Sequence, residues 1–68
     1  MTRYPKVRVR VRTPNPLVLV ASVRQELRRA GVERSEIRRF SDEALANDSP
    51  EGVRRICSEW VDTGARRT

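Results

Sequence analysis

The chain of 68 residues contains no histidine and one cysteine, Cys57. An intramolecular disulfide is therefore excluded, and the usual imidazole and thiolate zinc sets cannot be assembled. Without histidine the commonest proton-transfer group is missing, and Cys57 has no imidazole to activate it. The three glycines are scattered, so no glycine-rich phosphate loop occurs. The acids Asp42, Glu43 and Asp48 read as solvated, or as paired with Arg38 and Arg39 within a helical turn. These gaps point to a protein that binds rather than catalyses, with no cofactor and no metal. The longest apolar run, Leu17 to Ala21, is five residues, far short of a membrane span. No membrane association is expected, and a lone thiol agrees with a cytoplasmic location.

A chain this short forms one domain and buries a modest share of its surface, so its stability margin is thin without a staple or a partner. With staples absent, association with a second copy is the expected device, and a homodimer is the predicted state.

Charge is unevenly placed. Arg3, Lys6, Arg8, Arg10 and Arg12 supply five of the net +6 before any acid appears, and Arg66 with Arg67 add two at the far end. Between Thr13 and Asp62 eight basic residues face nine acidic ones. A near-neutral body with a basic strand and tail suggests a localised anion-binding face.

Lys6-Val7-Arg8-Val9-Arg10-Val11-Arg12 alternates cation and valine, the period-2 pattern of a strand with one buried and one open face. Val7, Val9 and Val11 are assigned to a core. Tyr4, Lys6, Arg8, Arg10 and Arg12 share the opposite face. Nothing later in the chain reads as a second strand.

The remaining punctuation is helical. Asn15 suits an N-cap and Pro16 the first helical position. Val20, Val23, Leu27 and Ala30 recur at three- and four-residue spacing, and Gly31 stands where a left-handed cap is wanted, so the first helix spans about Pro16 to Ala30. The second begins near Glu33 to Ser35, with Ile37, Phe40, Ala44 and Leu45 as its apolar stripe, and ends at Asn47 and Asp48. Ser49-Pro50-Glu51 opens a third, whose Val53, Ile56, Cys57 and Trp60 form the buried face before Gly64. The predicted fold class is α+β: one N-terminal strand followed by three helices. Residues 1–5 are expected to form an arm, 6–62 the domain, and 63–68 a flexible basic tail.

A lone strand leaves backbone groups unpaired on both edges. Pairing with a second copy about a two-fold axis would make an antiparallel ribbon, valines inward and arginines outward. The alternating strand from Lys6 to Arg12, the proline-started helix, the turn at Gly31 and the second helix together resemble the ribbon-helix-helix repressors of the Arc and MetJ type. The resemblance implies a dimeric ribbon that enters the major groove of DNA, with Lys6, Arg8, Arg10 and Arg12 facing the bases. The chain departs from that pattern in three respects. Glu33 and Glu36 flank the start of the second helix, where the family places a phosphate; a third helix follows; and the strand face is all basic. Tyr4, beside Pro5 on the basic face, is a further candidate for base or ribose contact.

The run from Val7 to Trp60 also resembles a group of small uncharacterised bacterial and phage proteins. That likeness rests on Asn15, Ala30-Gly31-Val32, Ser35-Glu36, Asp42-Glu43-Ala44 and the closing helix, and it implies no activity. Two function classes follow. One is a small basic DNA-binding protein, or more broadly a nucleic-acid binder; the other is a protein-interaction module without DNA binding. A solvated cationic strand face is the plain structural reading of the same alternation. At helical spacing, Trp60 and Cys57 read as core.

Overall fold

A computed structural model of the chain describes residues 2–10 and 15–64. Strand β1 spans Tyr4–Arg8, followed by helices α1 (Pro16–Arg29), α2 (Arg34–Leu45) and α3 (Pro50–Trp60), and a short strand β2 (Val61–Asp62). The architecture is α+β, an N-terminal strand and three helices as the sequence predicts, with one strand added.

Each helix boundary has a local cause. Asn15 has extended backbone, and its Oδ1 accepts from the Leu17 N–H at 2.9 Å, with Pro16 at the position that needs no N–H. Ser49 repeats the device: its Oγ accepts from the Gly52 N–H at 3.1 Å. Helix α1 ends in a left-handed turn at Gly31, φ 84°. The Gly31 N–H donates to the Arg28 carbonyl at 3.1 Å and the Val32 N–H to the Leu27 carbonyl at 3.0 Å. These are the two bonds of a Schellman cap, which a β-carbon at Gly31 would strain. At α2 the capping residue is Glu33, whose side chain makes no cap hydrogen bond.

Two expectations are corrected. The chain does contain a second strand: β2 follows Trp60 directly and pairs in parallel with β1, Tyr4 opposite Val61 and Arg8 opposite Asp62. Two residues are too few to display a period, which is why alternation could not reveal it. The three helices serve as the crossover that a parallel pair requires. One edge of β1 is thus covered by its own chain, and no strand among the described residues lies along the other. The second correction concerns residues 1–5. Thr2 Oγ1 donates to the Ser58 carbonyl at 3.2 Å and the Arg3 N–H to the Glu59 carbonyl at 2.8 Å, while Tyr4 and Pro5 belong to β1. From Thr2 onward, what was expected as an arm is part of the fold. The start of the expected tail, Thr63–Gly64, turns after β2, the Gly64 N–H donating to Asp62 Oδ1 at 3.0 Å; residues 65–68 lie outside the described residues.

The core is closed within one chain. Val7 and Val9 from the strand region pack with Leu19, Val20, Val23 and Leu27 of α1, Ile37, Phe40 and Ala44 of α2, Val53, Cys57 and Trp60 of α3, and Val61 of β2. Leu27, Phe40, Val23, Val61 and Cys57 are fully enclosed. Leu19, absent from the predicted stripe, is buried, whereas Leu45, predicted inside, is 55% exposed. Ser41 takes the inward position there, completing the 37–40–41–44 face of α2. Val11 lies outside the described residues.

Candidate nucleic-acid interface

β1 ends at Arg8, short of the strand expected from Lys6 to Arg12, and Val7 within it and Val9 just beyond fix where the neighbouring cations point. Val7 and Val9 are buried, and Lys6, Arg8 and Arg10 between and beside them are exposed, as the alternation requires. The Lys6 and Arg10 side chains make no ion pair or hydrogen bond among the described residues. Arg8 Nε lies 3.4 Å from Asp62 Oδ2, but the Arg8 side chain is 83% exposed. A pair that wet contributes about 1 kcal/mol or less and leaves the guanidinium available to a stronger acceptor. Arg12 lies outside the described residues.

Tyr4 does not join this row. The register between β1 and β2 shifts between Tyr4 and Arg8, and such an irregularity turns the chain locally so that alternation no longer carries through it. Half-buried Tyr4 packs against the core instead. Its ring stacks on Trp60 with centroids 6.0 Å apart and 25° between planes, and its hydroxyl donates to Glu36 Oε1 at 3.3 Å. Desolvation, and then the Glu36 carboxylate, raise the tyrosine pKa above its ordinary value.

Around Tyr4 a small polar shell closes over the aromatic pair. The Arg3 guanidinium sits 4.6 Å from the Trp60 ring centroid and 4.0 Å from Glu36 Oε1. The Trp60 indole N–H donates to Glu43 Oε1 at 3.1 Å, and Phe40 meets Trp60 edge-on at 5.6 Å. Arg3 is therefore occupied in structure. Glu36 is a partner of Arg3 and Tyr4, which accounts for a carboxylate in the first turn of α2.

Cys57 is fully buried, and desolvation lifts its thiol to about 11. It is a protonated core group at neutral pH.

A second cationic feature was not singled out from the sequence. Arg24 and Arg28 of α1 and Arg34 and Arg38 of α2 line an open cleft of about 510 Å³, with Val32, Ile37, Ser41 and Asp42. All four arginines are exposed, and none of their side chains makes an ion pair or hydrogen bond among the described residues. The signal was present as two arginine pairs at four-residue spacing, but only the packing of α1 on α2 makes them one site.

Among the described residues no helix is long and apolar enough to cross a membrane. No family model, curated protein or solved structure matches the chain.

Proposed function

We propose that the protein binds nucleic acid, duplex DNA in the first instance, with the outward face of β1. A second copy would pair along the strand edge that β2 leaves open, doubling the cationic row into a ribbon. The observation that carries this reading is the exposure of Lys6 and Arg8 on β1, and of Arg10 just past its end, opposite buried Val7 and Val9. That anchoring holds Lys6 and Arg8 about 6.6 Å apart, two residues of strand, with Arg10 following two residues on. Lysine and arginine so placed neutralise phosphates, and arginine can also give two parallel hydrogen bonds to guanine in the major groove. Phosphate contact dominates here, because a face of cations alone carries little sequence information. Val7 and Val9 are already enclosed by their own chain, so the second copy would serve the interface and is not needed to cover these two valines.

The test is a triple variant, Lys6→Gln, Arg8→Gln and Arg10→Gln, compared with the parent for duplex DNA affinity at low salt, with the solution mass of each. All three side chains are exposed, so the fold is expected to survive. A loss of about a hundredfold or more in affinity at unchanged mass supports the reading. A parent that ignores DNA at low salt refutes it.

A further inference from the structure

The cleft between α1 and α2 faces away from the shell around Tyr4. On α2, Glu36, Phe40 and Glu43 meet Tyr4 and Trp60. Arg34, Arg38 and Ser41 repeat the same spacing two residues earlier along the helix and line the cleft. A two-residue offset is about 200° of rotation at 3.6 residues per turn. The two sets therefore occupy opposite flanks of one helix, and the start of β1 and the cleft lie on different sides of α2.

We propose that this cleft is the docking site for an acidic amphipathic helix of a partner protein. The proposal is independent of whether β1 binds nucleic acid. Charge complementarity selects the occupant: four arginines line one cleft with no side-chain partner among the described residues, and carboxylates satisfy guanidinium forks with paired hydrogen bonds. Spacing selects its form. Arg24 to Arg28, and Arg34 to Arg38, are each four residues apart, about 6 Å along their helices. A helix bearing glutamate or aspartate at four-residue spacing presents charge at that same period. The floor selects its character. Half-buried Val32, with the small part of Ile37 left open at 6% exposure, gives the lining apolar contact, which an aliphatic side chain of a docked helix covers and a phosphodiester strand leaves bare. Asp42 at the margin opposes phosphate, whereas a protein segment can place a basic residue beside it.

The probe is a fluorescein-labelled synthetic helical peptide with leucines on one face and glutamates at four-residue spacing beside them, titrated by anisotropy. A counterpart carries glutamine at every glutamate. The protein is used in three forms: the parent, Arg24→Gln with Arg38→Gln, and Arg8→Gln with Arg10→Gln. The glutamate peptide is expected to bind the parent at least about tenfold more tightly than the glutamine peptide. The cleft variant is expected to lose about tenfold or more, in proportion to the charge-assisted bonds removed, while the strand variant binds as the parent does. Equal binding of the two peptides overturns the proposal, as does full affinity in the cleft variant. If the cleft variant loses affinity for duplex DNA while the peptide goes unbound, the cleft is a phosphate surface and the proposal falls.

Discussion

Tyr4 and Trp60 lie stacked with ring centroids 6.0 Å apart, joining the start of β1 to the end of α3. The contact brings the two ends of the described fold together, and the polar tips of both rings are tied to α2, through Glu36 and Glu43. Three elements thus meet at one aromatic pair.

Trp60 is 2% exposed, and removing so large a buried ring costs about 3–5 kcal/mol. A chain of 68 residues has roughly 3–10 kcal/mol of total stability at about 0.05–0.15 kcal/mol per residue. Trp60→Ala is therefore expected to be largely unfolded at 37 °C (about mesophile working temperature) by circular dichroism. Tyr4→Phe loses one long, half-exposed hydrogen bond and is expected to cost about 1 kcal/mol or less in urea unfolding. Because Tyr4 packs inward, the same variant should leave DNA affinity within about twofold of the parent.

Cys57 gives a pH dependence of known sign. Its thiol ionises near 9.0 when unconstrained and at about 11 in the fold. Above pH 9 the unfolded chain releases a proton that the folded chain retains, so this group's contribution is complete below pH 9 and is lost as pH rises through about 11. The full difference is on the order of 3 kcal/mol, two pKa units at about 1.4 kcal/mol each. Urea unfolding of the parent and of Cys57→Ala across that window checks it: the variant's stability should fall less steeply. At neutral pH the native thiol should resist alkylating reagents and react once the chain is unfolded.

The N-termini of the three helices are unequally served. Ser49→Ala removes a cap bond of 3.1 Å and is expected to cost about 1 kcal/mol. Glu33 occupies a cap position with extended backbone, φ −60° and ψ 146°, and its side chain makes no cap hydrogen bond. Glu33→Ser should supply one and raise stability by about 0.5–1 kcal/mol. An unchanged melting temperature in the second variant would show that backbone or solvent already satisfies that terminus.

Gly52 sits in the first turn of α3, where alanine would ordinarily gain about 1 kcal/mol. Here a β-carbon would collide with the Asn47 side chain, meeting its Oδ1 first and its Cγ at 2.9 Å. Asn47 is itself held by its Nδ2 donating to the Glu43 carbonyl at 3.0 Å. Gly52→Ala is expected to destabilise, and Gly52→Ala with Asn47→Gly to recover part of the loss, both read from thermal melts.

The helical part of this fold was legible because its determinants are local. Asn15, Ser49 and the left-handed Gly31 are sequence signals with one structural outcome each, and Val23, Leu27, Phe40 and Cys57 recur at a period that only a helix buries together. What escaped depends on contacts distant in the chain. Val61–Asp62 is a strand only because β1 lies beside it, and Tyr4 leaves the cationic face because that pairing shifts register. Leu45 obeys helical spacing loosely, and the burial of Ser41 shows that position on the wheel outranked polarity there. The row Lys6, Arg8 and Arg10 follows from alternation alone, while the cleft arginines became a site only through the packing of α1 against α2.

The most direct measurement of the nucleic-acid reading is the salt dependence of duplex DNA affinity in the parent and in the Lys6→Gln, Arg8→Gln, Arg10→Gln variant. The parent's log affinity should fall linearly with log salt, and the variant's slope should be shallower by about 0.9 for each phosphate contact removed. Parallel lines of equal slope would mean that these three cations never met phosphate, and would leave the face of β1 as solvated surface.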